Sequence, residues 1–208
     1  MKRIVNRIKE IYSMGDVSFF CSLIGPLAMG TIHLVATILH FDWIVVNYCV
    51  FSYLMALAKT WQWAIAKFRL QPNHYVAGAI SVAVLIAPMM ASIVLTIRYQ
   101  DAPHYIFDWL VYAYALYGTI KMVLAIMHLA KKEKDDRQFV LAFLGMIAAL
   151  YTIQMMEFKL IMFASNGEVG TDMYLMQLFT QGAVFLFATF VIGFFIYKVC
   201  KNGPRRQN

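Results

Sequence analysis

Charge is what this chain has least of. Only 14% of its 208 residues are Asp, Glu, Lys or Arg, against about a quarter in a soluble domain, and 62% are hydrophobic. Too little polar surface remains to cover that apolar load in water. Cysteine is scarce as well. Cys21, Cys49 and Cys200 lie far apart with no CxxC pair, which excludes a disulfide framework and a structural zinc site. No HExxH, GxGxxG, P-loop or GxSxG pattern occurs, and no pair of catalytic side chains falls at matched depth. The chain therefore reads as a non-enzyme with no metal and no cofactor. The net charge of +7 is spread in short clusters between apolar runs, a distribution that speaks against nucleic acid as a partner and for a lipid bilayer.

What the chain has in quantity is long apolar runs. A crossing needs about 20 apolar residues, because the hydrocarbon layer is roughly 30 Å thick and a helix rises 1.5 Å per residue. Six runs qualify: 17–40, 42–66, 75–97, 104–129, 138–163 and 173–198. Each is predicted to be helical, since an isolated strand would leave its backbone unpaired in lipid. The fold class is thus an all-α, multi-pass membrane protein with about six transmembrane helices.

Cations set its orientation. Lys2, Arg3, Arg7 and Lys9, then Lys67 and Arg69, then Lys131, Lys132, Lys134 and Arg137, then Lys198, Lys201, Arg205 and Arg206 all fall on one side, fourteen of the eighteen Lys and Arg residues. The excess predicts that both termini are cytoplasmic, in a cell or inner membrane. Residues 1–16 carry Ile4, Ile8, Ile11 and Tyr12 on one helical face and cations on the other, the pattern of an amphipathic helix on the inner surface. Residues 17–198 form the membrane domain and 199–208 a basic tail.

The membrane domain also repeats. Phe41-Asp42-Trp43 opens the second helix and Phe107-Asp108-Trp109 the fourth, 66 positions later, with Val45/Val111, Tyr48/Tyr114, Phe51/Tyr117 and Ser52/Gly118 at the same offset. Asp172-Met173-Tyr174 opens the sixth more loosely. These matches predict three consecutive helical hairpins, roughly 17–72, 73–136 and 137–200, with like orientation about an axis along the membrane normal. Asp42, Asp108 and Asp172 sit where acids favour helix N-termini.

Charged and polar side chains at membrane depth are the candidates for function, because each costs free energy there unless something compensates it. On the fourth helix Tyr114, Tyr117 and Lys121 share a face; on the second, Tyr48 and Lys59; on the sixth, Gln181. Were the repeats to pack about one axis, these faces would border a path between helices 2, 4 and 6. Lys121 lies about 20 Å down its helix from Asp108, and reads either as a contact for an anion or carboxylate or as a lysine bonding backbone carbonyls or snorkelling. Lys59, nearer the helix end, reads as snorkelling. In the outer half His33 and Gln154 occupy matching repeat places, and Glu157 one turn on is placed to pair with Lys159 or His33. Pro26 after Gly25, and Pro88, mark kinks.

The leading functional expectation is a small-solute or ion transporter or channel. The alternatives are a membrane interaction protein, acting as an accessory subunit or an oligomeric pore-forming effector with a homo-oligomer or a membrane subunit as partner, and an intramembrane enzyme on lipid or quinone.

Overall fold

A helix is the one conformation in which an isolated apolar segment satisfies its own backbone in lipid, and the computed structural model is helical from end to end of each long segment. The structure describes residues 14–39, 41–68, 73–98, 108–130, 136–164 and 171–202, without the side chains of 14–19, 21, 108–115, 128, 158–164 and 202. The proposed surface helix lies almost wholly outside the described residues, as does the end of the tail from 203. Among the described residues six helices follow in order: α1 (Met14–Leu39), α2 (Trp43–Phe68), α3 (His74–Arg98), α4 (Asp108–Ala130), α5 (Asp136–Ala164) and α6 (Thr171–Asn202). Among the described residues five helices are long and apolar enough to cross a membrane, and in α4 the apolar stretch is Leu116–Met127.

Local chemistry sets the helix starts. Asp42 caps α2, its Oδ1 accepting from Ile44 N at 2.7 Å and its carbonyl from Val46 N at 2.9 Å. Asn73 does the same for α3, with Oδ1 accepting from Tyr75 N at 3.1 Å. Such side chains satisfy N–H groups that have no partner in the first turn. At the far end α6 runs beyond the expected 198 to Asn202. Its 32 residues extend about 48 Å, longer than the hydrocarbon layer is thick.

The exterior is apolar. Phe179 is 85% exposed, and Ile38, Leu57, Leu116, Leu186 and Phe190 are exposed as well; in water such a surface would aggregate. Inside, small residues let helices approach closely, as lipid-embedded packing requires. Ala77 and Gly78 of α3 receive α6 and α5: a Cβ on Gly78 would stand 2.7 Å from Val140 Cγ1 and 3.0 Å from the Phe195 ring. Around that point Val82, Leu85, Val140, Leu144, Val191 and Phe195 are fully buried.

Helix pairing departs from three consecutive hairpins. α1 packs on α2 and α5 on α6, as expected, but α3 packs on α6 and on α2, while α4 packs on α5. Among the described residues α3 and α4 share no substantial contact. The physical reason lies in side-chain fit. The Gly78 notch accepts the Phe195 ring, and the nine residues between α3 and α4 reach up to about 30 Å, so the connection imposes no neighbour. Read around the bundle, the packing runs α1–α2–α3–α6–α5–α4, with α5 also touching α2 and α3.

Two clasps tie the end of the bundle where α1 begins and α6 finishes. Gln62 at the end of α2 donates to the His74 carbonyl at 3.3 Å, and its Oε1 lies 3.0 Å from His74 Nδ1. Tyr75 of α3 donates to Asp136 of α5 at 2.9 Å. Phe195 of α6 stacks obliquely on the same Tyr75 ring, 6.0 Å between centroids.

Candidate functional site

Proline has no N–H, so Pro26 gives nothing to the carbonyl four residues earlier in α1. That carbonyl belongs to Ser22, and the Lys59 ammonium of α2 donates to it at 3.1 Å. Lys59 is 3% exposed. It does not snorkel, contrary to the sequence expectation, because the break in α1 offers an acceptor nearer than the membrane surface. Lys121 of α4 arrives beside it, the two side chains being direct neighbours. The Lys121 ammonium also lies 5.3 Å from the centroid of the Tyr117 ring one turn away, within cation–π range.

Gly25 makes room for this meeting. A Cβ there would stand 2.5 Å from the Tyr117 hydroxyl and 3.0 Å from Lys121 Nζ. The Gly25-Pro26 pair thus does two jobs at one place: the proline frees a carbonyl for one lysine, and the glycine admits the tips of Tyr117 and Lys121 to the backbone of α1. Among the described residues no carboxylate pairs with either lysine. Burying either amine as a cation in an apolar bundle costs free energy that must be offset locally. The carbonyl dipole of Ser22 offsets part of this and neutralises none of it.

Above the lysine pair a cavity of about 30 Å³ opens between α1, α2, α4 and α5, space for one or two waters. Pro26, Met29, Phe51, Met55 and Tyr117 line its near side, and His33, Tyr48, Tyr151 and Thr152 its far side. Met55 and Tyr117 each stand one helical turn from Lys59 and Lys121, so the lysine pair lies one turn beyond this space and does not line it.

The far wall is a polar cluster held by bonds across three helices. Asn47 of α2 donates to the Pro88 carbonyl of α3 at 2.9 Å and to the Tyr151 hydroxyl of α5 at 3.1 Å. Ser92 of α3 joins both Tyr48 and Tyr151, whose rings are 5.2 Å apart. Phe51 lies against Tyr151 at 3.8 Å. His33 bonds the Met29 carbonyl through Nδ1 at 2.7 Å and stacks on Tyr48 at 5.9 Å. Each polar group here is held by a partner on a different helix or by the helix's own backbone, so the wall is stiff and its hydroxyls are fixed in place.

The sequence candidates therefore divide. Tyr117, Tyr48 and His33 line one cavity, and Lys59 and Lys121 meet one turn beyond it. Gln181 belongs elsewhere, on the α3–α6 seam, where it donates to Thr96 at 2.8 Å beside Gln177. Glu157 accepts from Thr180 of α6 at 3.1 Å, and the side chain of its expected partner Lys159 lies outside the described residues. Gln154 is buried, with its Nε2 unbonded among the described residues, as is Gln181 Oε1. Tyr114, Lys159, Asp108 and His128 have side chains outside the described residues.

Sequence reading missed Asn47, Ser92 and Tyr151 as the wall of the cavity, and Gly25 as the residue that makes room for Tyr117 and Lys121. A signal existed for one part. A proline inside an apolar helix marks the carbonyl four residues back as an acceptor in need of a donor, and Ser22 was identifiable that way. Among the described residues no three His, Cys, Asp or Glu side chains come together to hold a metal ion. Comparison of the chain with protein-family models, with curated proteins and with solved structures finds no match, and the functional reading rests on the site alone.

Proposed function

We propose that the chain is a membrane permease for a small solute or ion, with its path between α1, α2, α4 and α5. The observation that carries this reading is the meeting of Lys59 and Lys121 inside the bundle, one helical turn from a cavity and without a carboxylate described beside them. A purely structural lysine in a membrane has a simpler arrangement available, an acid on the next helix or a reach to the surface. Two cations brought together from different helices, at a point kept open by a glycine, suit a site that receives something from outside the fold.

In this reading α4 crosses the membrane with the other five helices, and the cation-rich termini face the cytoplasm. The lysine pair then lies in the inner half of the bilayer and the Tyr48–Tyr151–Asn47 wall in the outer half. A solute moves past the polar wall and then the lysine pair, and the break at Gly25-Pro26 is the part of α1 able to bend between them. Helices 2 and 4 keep the role expected of them, and α1 and α5 take the place given to helix 6.

Reconstitution into liposomes tests the reading. Lys121→Ala is expected to lower solute or ion flux at least tenfold with the amount of protein in the membrane unchanged. Flux equal to wild type removes Lys121 from the path and the proposal with it.

A further inference from the structure

We infer that the lipid-facing seam between α5 and α6, at the end of the bundle where α6 finishes, binds one anionic phospholipid. Lys198 and Lys201 meet its phosphate, and an acyl chain lies along Phe194, Phe190 and Leu186. The site requires only that lipid surrounds the helices and is independent of the permease reading.

The lysines point to a negative headgroup. A lysine stem is long enough to carry its charge away from hydrocarbon into water. Here the side chains turn back along the helix. The Lys198 ammonium lies 5.5 Å from the centroid of the Phe194 ring one turn earlier in α6 and 6.0 Å from that of Phe139 in α5. The Lys201 ammonium lies 5.8 Å from the centroid of Tyr197. Lys198 thus bridges the two helices at the mouth of their seam. A ring face attracts a cation, but each ammonium has three N–H donors and a ring occupies only one side of it. Among the described residues no carboxylate pairs with either lysine, and Asp136 at the start of α5 accepts from Tyr75 at 2.9 Å. Two cations three residues apart near the end of a membrane helix complement a phosphate.

Beyond them the seam is apolar and open. Leu186, Phe190, Phe194 and Lys198 follow at spacings of four, which lines them up along one face of α6. Leu186 and Phe190 are exposed. Phe194 lies 5.8 Å from Phe139 and 5.7 Å from Phe143, so α5 walls one side of the stripe. Gly193, between Phe190 and Tyr197, has nothing within 4 Å of where its Cβ would stand; its notch, unlike that of Gly78, receives no helix of this bundle. From Leu186 to Lys198 the stripe runs about 18 Å, a little over half of a hydrocarbon layer roughly 30 Å thick. That is the reach of one acyl chain in one leaflet with its headgroup at the lysines. Positive charge at one end of an apolar track of this length selects an amphiphile with a negative head. In the proposed orientation the track lies in the cytoplasmic leaflet, where anionic lipids are concentrated.

The test is native mass spectrometry of the purified full chain, released from detergent micelles to which phosphatidylglycerol and phosphatidylcholine with identical acyl chains are added in equal amounts. One phosphatidylglycerol is expected to be retained about fivefold over phosphatidylcholine, the effect of roughly one lysine on an anionic lipid. Lys198→Gln is expected to remove that preference and Lys198→Arg to keep it, with monodispersity on gel filtration showing that both variants fold. Lys67→Gln takes away a lysine of the same end of the bundle, seated 5.4 Å from the Trp63 ring in α2, and is expected to leave retention unchanged. Phe190→Ala is expected to weaken retention several-fold, and the same change at the more exposed Phe179, in the first half of α6, to leave it alone. Equal retention of the two lipids, or equal losses from Lys198→Gln and Lys67→Gln, overturns the site, because either marks a general attraction to lipid or to negative charge. Equal losses from Phe190→Ala and Phe179→Ala overturn it as well, since the chain would then not lie in this seam.

Discussion

Two glycines show how differently the halves of this bundle are built. Gly78 lies in the α3–α5–α6 half, where an added Cβ would meet Val140 Cγ1 at 2.7 Å and the Phe195 ring at 3.0 Å, both buried and hemmed in by Val82, Leu144 and Val191. Gly25 lies in the α1–α2–α4 half, where the same added atom would meet the Tyr117 hydroxyl at 2.5 Å and Lys121 Nζ at 3.0 Å, the far ends of long side chains. Clearance at Gly78 lets backbones close on each other. Clearance at Gly25 lets functional tips reach a backbone. One half closes tightly around Gly78, and the other brings polar and charged groups together beside a small cavity. In lipid the packed half draws its stability from dispersion and small-residue contact rather than from exclusion of water. A cavity tolerated in the other half is then a departure from the way the rest is built.

Substitutions can break or sharpen that contrast. The largest effect is expected from Phe195→Ala, which empties the centre of the packed half and should destabilise the chain by about 3 kcal/mol in equilibrium unfolding from mixed micelles. A loss under about 1 kcal/mol would mean the α3–α5–α6 half is not the tightly closed one. Next come the glycines themselves. Gly78→Ala should cost about 1–3 kcal/mol of stability because its neighbours have nowhere to go. Gly25→Ala should cost under about 1 kcal/mol yet lower flux several-fold, as Tyr117 and Lys121 are pushed off α1. Equal stability losses at the two positions would erase the distinction. The smallest effect is expected from Tyr151→Phe, which removes the acceptor of the Asn47 bond in the cavity wall. Intramembrane hydrogen bonds of this kind contribute about 0.6 kcal/mol on average, so unfolding should shift by that order, and a shift above about 2 kcal/mol would show the wall to be a main support of the fold.

How much of this was legible beforehand differs between residues. Lys121 and Tyr117 stood out because a cation and a phenol one turn apart inside an apolar run demand an explanation. Lys59 was misread as snorkelling, since its distance from the helix end gave no hint that a carbonyl on another helix stood closer. Tyr151 and Asn47 were not singled out at all; single polar groups in apolar runs gain significance only when several from different helices converge. Asp42 was read correctly as a helix cap, because a cap is decided within four residues of chain.

The sequence by itself determined the number of helices, their approximate ends, and the character of a membrane protein, since the thickness of hydrocarbon and the demand that every backbone group be bonded leave no alternative for runs such as 75–97. It also determined which residues share a helical face, because a period of 3.6 is local. Only the tertiary structure decided that α3 turns to α6 instead of α4, and that Lys59 and Lys121 meet beneath Gly25-Pro26. In a bundle surrounded by lipid, neighbouring protein and neighbouring acyl chains are equally apolar, so hydrophobic pattern does not say which face meets which. The choice falls to the fit of small residues against large ones, and that is a property of surfaces brought together in three dimensions.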